Sequence, residues 1–325
     1  MANTMNFFSL VIYVPLQLIF IPLAFAGIIL TVYKQLIVSK RLGASQTAIE
    51  VLNGRWTMHV FGIQNDMTTE KLVRVLPNTS PTGLWLVMFP LWVKFKISKT
   101  YFIYPKLPKA GKETIADLIV ARTIYFDRII DRLVDDAEQF VVLGAGYDTR
   151  AYGPLKQHTL TFFELDQAKT QTMKINSLQE AGIDASHVRF VAVDFTQDSV
   201  FEKLKESGYD PQKRTVFLWE GVTLYLSESD VRKMLGEIRE NSVSGSSILT
   251  DYYAERFIQI GSTKVGKKTL ELTGEGLDFG LPLNSNHANV FDRFIKSENL
   301  GVGETHFLGS TNKKGPFAIV SETKI

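Results

Sequence analysis

The sequence predicts an α/β protein, a doubly wound sheet of seven strands ending in an antiparallel hairpin and preceded by an N-terminal transmembrane helix. Three observations carry this. From residue 113 onward, short apolar runs alternate with helical periods, as in parallel strands joined by crossover helices. The turn-like Thr311-Asn312-Lys313-Lys314-Gly315-Pro316 separates two final strand-like runs, which suits a closing hairpin. Near the start, Phe7 to Tyr33 forms 27 residues without a charged side chain.

As a helix rising about 1.5 Å per residue, the apolar run reaches ~40 Å, more than the ~30 Å hydrocarbon core of a bilayer. Pro15 and Pro22 each remove a helical hydrogen bond and predict a kinked span. Met1 to Asn6 holds no Lys or Arg, and the run is about twice the length of a signal-peptide core. Lys34, Lys40 and Arg41 follow it, so the positive-inside rule predicts a single pass with the rest of the chain cytoplasmic. Residues 1–41 are therefore read as anchor and basic flank, and 42–112 as a linking region.

Within that region Ser45 to Pro77 begins as a capped helix. The stretch 83–93 is apolar, holds Trp85 and Trp92, and runs into Lys94, Lys96 and Lys99. It is too short to cross and reads either as an interfacial segment or as core. A Pro/Gly/Lys-rich linker, Lys106 to Lys112, opens the domain 113–325.

That domain starts with a helix from Glu113 to about Val134. Strands are predicted at 140–143, 161–164, 188–193, 215–219 and 247–251, then 303–307 and 317–321 for the hairpin. Helices are predicted near 167–181, 199–207 and 228–241.

Bulk properties exclude several chemistries. A formal charge of +2 gives no general attraction for nucleic acid. The absence of cysteine removes disulfides, thiolate metal sites and a Cys nucleophile. Five scattered histidines argue against zinc, and no metal is expected.

Gly144 and Gly146 follow the first strand directly, letting the loop Gly144-Ala145-Gly146 turn sharply and approach a ligand. By itself this loop serves a dinucleotide or S-adenosylmethionine equally. The second strand ends in Glu164-Leu165-Asp166, 20 to 22 residues after Gly144, where an acid can accept from both ribose hydroxyls. Asp194 ends the third strand, placed for an adenine amino group, with Phe195 available to pack on the ring. Glu220 ends the fourth, near where an acceptor would lie. Thr149 stands where a dinucleotide fingerprint has its third glycine, so four strand ends favour a sulfonium cofactor without a diphosphate. Asp148 and Arg150 are close enough in sequence to brace the loop by pairing. Arg122 could equally bridge to Asp117 or Asp127 on its own helix.

The strings Ala121-Arg122-Thr123-Ile124-Tyr125-Phe126-Asp127, Val142 to Tyr152, Phe163 to Asp166 and Trp219 to Leu226 resemble the leucine carboxyl methyltransferase family and its polyketide O-methyltransferase-like relatives. The resemblance runs from about Thr114 to the C-terminus and includes Gly276-Leu277-Asp278-Phe279-Gly280. It implies a class I, Rossmann-like methyltransferase fold with S-adenosyl-L-methionine as cofactor. It further implies that Arg122 pairs with the methionine carboxylate, that Gly144 lines the cofactor loop and that Asp166 holds the ribose. Asp194 and Phe195 would hold the adenine, and Glu220 would lie beside the cofactor near the acceptor. A family lysine in the N-terminal extension has no assigned counterpart here, and the apolar helix is a departure that puts the family's substrates in doubt.

The function expected is therefore a membrane-anchored O-methyltransferase for a small-molecule or lipid-like acceptor. Its alternatives are a silent cofactor-binding scaffold and an NAD-dependent oxidoreductase. A carboxylate acceptor needs no base, whereas a hydroxyl with pKa ~10 or higher does. Tyr225, and His287 on an expected lid between Glu255 and Ala288, are the further catalytic candidates.

Overall fold

The computed structural model describes residues 2–195, 197–261 and 276–325 of the 325-residue chain. Part of the expected lid, 262–275, lies outside the described residues.

The sheet follows from the apolar runs. Strands β1 (Gln139–Leu143), β2 (Thr161–Asp166), β3 (Val188–Ala192), β4 (Thr215–Trp219), β5 (Ser247–Tyr253), β6 (Gly301–Leu308) and β7 (Ala318–Lys324) stand in the order β3-β2-β1-β4-β5-β7-β6. The first five are parallel, while β7 pairs antiparallel with β5 and with β6. β1 and β4 are buried along their whole length, as central parallel strands covered on both faces must be. The order reverses between β1 and β4, which opens a crevice at the carboxyl ends of the strands.

Helix α1 (Ala2–Val32) contains Pro15 and Pro22 and continues through a π segment, Tyr33–Val38, to Leu42, where Gly43 ends it in the left-handed conformation. Met5–Leu42 is long and apolar enough, by length and composition, to cross a membrane. Helix α2 (Gln46–Val60) is capped by Ser45, whose side chain accepts from the Ala48 amide at 3.2 Å. α3 (Met67–Val75) follows it. The 83–93 stretch lies within an 18-residue helix, α4 (Pro81–Ser98), capped by Ser80. α1 and α4 run antiparallel in close contact. A Cβ on Gly27 would lie 2.6 Å from the Gly83 carbonyl oxygen, Phe20 stacks on Phe89, and Lys94 donates to Asn6 Oδ1 at 2.9 Å.

The family-like helix is α5 (Leu118–Leu133), preceded by a short 3₁₀ turn at Ile115–Asp117. Its buried face joins Ile49, Leu52 and Trp56 of α2 in one core with Phe140 and Val142 of β1. α2 and α5 approach closely because Gly54 has no side chain; a Cβ there would sit 2.5 Å from Ile119 Cγ2. The segment expected as a linking region is thus packed structure. Helices α6 (Ala168–Glu180), α7 (Val200–Glu206) and α8 (Glu228–Glu240) are the crossovers read from sequence, with α9 (Glu255–Gly261) and α10 (His287–Ser297) before the hairpin.

Candidate active site

The carboxyl ends of β1, β2, β3 and β4 open on one cavity of about 1320 Å³. Its lining includes every residue nominated from sequence except His287: Arg122, the Gly144–Gly146 loop, Asp166, Asp194, Phe195, Glu220 and Tyr225. His287 begins α10, where its Nδ1 pairs with the Asn284 carbonyl at 2.8 Å and its ring packs on Phe307.

The loop after β1 needs both glycines. Gly144 has φ +73°, and a Cβ there would lie 2.5 Å from Val222 Cγ2. Gly146 has φ +46°, and its Cβ would meet Ala48 of α2 at 2.9 Å. An L-residue at either position would strain the backbone and displace a neighbour. Asp166 Oδ2 accepts from the Gly146 amide at 2.5 Å, fixing the carboxylate beside the loop. Burial pushes the Asp166 carboxyl up, opposed by its hydrogen bonds from the Gly146 and Gln167 amides. Glu164, the other acid ending β2, is instead buried in an ion pair with Lys174 at 2.6 Å.

Arg122 and Arg150 are both buried and share Glu220. Arg122 Nε lies 2.9 Å from Glu220 Oε1, and its Nη1 donates to Asp251 Oδ2 at 3.0 Å and to Tyr253 Oη at 2.8 Å. Nη2 carries none of these bonds. Arg122 does not bridge to Asp117 or Asp127, because α5 aims it at the sheet edge. Asp127 instead receives Arg150 Nε at 2.6 Å, while Arg150 Nη1 contacts Glu220 Oε2 at 2.8 Å and also Asp148. Arg55 of α2 extends the network, 2.9 Å from Asp66 and 3.6 Å from Asp148.

Burial raises the carboxyls of Glu220 and Asp148, but the arginines outweigh it. Arg150 and Arg122 hold Glu220 below its ordinary value, and Arg150, Arg55 and Lys174 hold Asp148 at about 2. Asp251 is raised by burial, which Arg122 only partly offsets.

Sequence reading missed Arg55, Glu50, Asp251 and Tyr253. Asp251 ends a predicted strand as the nominated acids do, so its signal was available. Arg55 stands between Gly54 and Trp56 of α2, and it reaches the cavity lining through the packing of α2 on α5. Glu50, on α2, faces the open interior of the cavity, yet desolvation raises its carboxyl against the pull of Arg122. Lys40 and Arg55 are the basic side chains that the N-terminal region brings to the lining.

A parallel sheet of this order, with acids at consecutive strand ends facing one crevice and an antiparallel closing hairpin, defines the class I methyltransferase fold. The leucine carboxyl methyltransferase profile matches residues 80–239. YktD of Bacillus subtilis (strain 168), provisionally named an S-adenosyl-L-methionine-dependent methyltransferase, is 32% identical over 139 residues, covering 42% of this chain and 45% of that protein. A similarly named protein of Mycolicibacterium smegmatis (strain ATCC 700084 / mc(2)155) is 30% identical over 173 residues, 53% of this chain and 58% of its own. These matches span about half the length of the curated relatives. Among solved structures, geranyl diphosphate C-methyltransferase from Streptomyces coelicolor A3(2) has a TM-score of 0.44 at 12% identity, covering 65% of this chain and 81% of that one. Residues 80–239 thus resemble the leucine carboxyl methyltransferase family, and the chain is similar to proteins named as S-adenosylmethionine-dependent methyltransferases.

Proposed function

We propose that this chain transfers the methyl group of S-adenosylmethionine to an oxygen of an apolar, membrane-associated acceptor, and that α1 attaches it to the cytoplasmic face of a membrane. The observation carrying this is one cavity lined both by the cofactor-type strand ends and by Thr31 in the last turn of α1, Gln35 just beyond it, and Leu84 and Met88 of α4.

The residues fit the cofactor. Gly144 and Gly146 bring backbone close to the ligand, and Asp166 is oriented by the loop amide. In this reading Asp166 accepts from the ribose hydroxyls, Asp194 and Phe195 hold the adenine, and Arg122 offers Nη2 to the methionine carboxylate. When bound, the cofactor supplies an electrophilic methyl group on a sulfonium. The chain's part is to align an acceptor oxygen with it and exclude water, and such positioning supplies much of the rate. Glu220, ionised and locked between two arginines, orders the acceptor side rather than accepting a proton. Tyr225 lines that side as well.

A carboxylate acceptor fits a site whose Glu220 is committed to ion pairs. Glu50 favours a second reading, a hydroxyl acceptor, because its raised carboxyl faces the cavity and could take the proton. Incubating the full-length protein with heavy-methyl adenosylmethionine and membrane extract tests the proposal. Adenosylhomocysteine and a labelled lipid-soluble product are expected; cofactor binding without turnover would favour the scaffold alternative.

A further inference from the structure

We infer that the α1–α4 pair lies in the plane of one anionic leaflet instead of crossing the bilayer. This rests on the reading above that α1 engages a membrane.

Packing sets α1 beside the catalytic body. α1 presents Asn6, Tyr13, Phe20 and Gly27 to α4 and its own C-terminal flank. On its other side α4 meets the catalytic body at two separated points, Trp85 against Trp56 and Phe95 against Phe61. Helix axes pack ~8–10 Å apart, so much of α1 runs alongside the body, with only α4 between. Were α1 along the bilayer normal, the end of α2 and its surroundings would lie at hydrocarbon depth. Those surroundings include Gln64 paired with Asp127 at 2.5 Å and Arg55 paired with Asp66. Charged groups are expensive there.

The rest of the α1 surface is left open. Phe7, Phe8, Val11, Leu18, Ile19 and Phe25 are all exposed, Phe7 by 70% and Ile19 and Phe25 by 66%, so every side of α1 turned away from α4 is open and apolar. This apolar surface runs the length of the helix and is of the kind that acyl chains cover.

Charge decides the occupant. Residues 1–49 and 71–112 contain eleven Lys and Arg and no Asp or Glu. Lys34, Lys40 and Arg41 flank the C-terminal end of the apolar surface. Because α4 is antiparallel, the exposed Lys96 and Lys99 stand by the N-terminal end, where the buried Lys94 donates to Asn6. The asymmetry that suggested a spanning orientation in sequence is absent in three dimensions. Basic groups at both ends of an apolar surface complement an anionic leaflet. Thr31, Gln35, Leu84 and Met88 then put one wall of the cavity beside the lipid, giving an amphiphilic acceptor a lateral route.

The chain has no cysteine, so single-cysteine variants report topology directly. Ala2→Cys and Lys313→Cys, each in the full-length protein, are expressed and treated in inside-out membrane vesicles with a membrane-impermeant maleimide. Both are expected to label fully without detergent. Labelling of Ala2→Cys only after detergent would overturn the in-plane arrangement while leaving membrane attachment standing. Absence of the protein from the membrane pellet, or a soluble dimer with the apolar surface covered by a second copy, would overturn membrane attachment itself. With purified protein, removing phosphatidylglycerol from phosphatidylcholine vesicles should weaken binding at least about tenfold; unchanged binding would contradict the charge argument.

Discussion

Arg122 and Glu220, 98 residues apart, meet at 2.9 Å between α5 and the end of β4, and Glu220 carries the contact on to Arg150. One carboxylate therefore ties the helix before the sheet to the cofactor loop. Both arginines are buried, so their charges depend on this acid.

Glu220→Gln should destabilise the fold by on the order of 3 kcal/mol, the cost of removing one partner from a buried ionic cluster. Urea unfolding at neutral pH reads this directly. An unchanged midpoint would mean that Asp148 and Asp251 suffice to hold the arginines.

The same network predicts acid sensitivity. Glu220 and Asp148 have folded values below their ordinary 4.5 and 3.8, with Asp148 at about 2. Groups depressed in this way stabilise the fold fully above their unfolded values and lose that contribution as pH falls through the folded ones. Stability should decline from about pH 4.5 toward pH 2, and the gap between wild type and Glu220→Gln should narrow over the upper part of that window. A pH-independent gap would contradict the assignment.

Gly144→Ala tests the loop. At φ +73°, with a Cβ only 2.5 Å from Val222, the substitution should cost more than ~1 kcal/mol and weaken cofactor binding. Adding Val222→Ala should recover the steric part and leave the backbone strain. Full recovery would show that the positive φ carries no cost.

Glu50→Gln separates the two acceptor chemistries. With a hydroxyl acceptor, turnover should fall ~10²-fold or more with cofactor affinity unchanged, and the wild-type rate should rise with pH through the elevated Glu50 value. With a carboxylate acceptor, turnover should be unaffected. Steady-state kinetics on the labelled product decides between them.

Much of the sheet was legible because buried parallel strands are nearly continuous apolar runs, such as Phe140 to Leu143, and their crossover helices keep a helical period. The strand-end acids were legible for the same reason, since each directly follows such a run. Asp251 follows such a run as well, closing the predicted strand 247–251, and was passed over although its signal was the same. The contribution of α2 was hidden differently. Arg55 and Glu50 reach the cavity through tertiary packing across Gly54 and Ile119, and nothing local in residues 42–112 announces that contact. The helix at 83–93 looked too short because Pro90 and the lysines interrupt its apolar pattern, while Ser80 and Lys99 cap a longer one.

In the proposed function the crevice between β1 and β4 holds S-adenosylmethionine with Asp166 on its ribose. Calorimetric titration of adenosylhomocysteine into the full-length protein and its Asp166→Ala variant tests it most directly. The expected result is saturable binding by the wild type, weakened by ~1–3 kcal/mol in the variant. Equal affinity in the two proteins, or tight NAD binding with no response to adenosylmethionine, would contradict it.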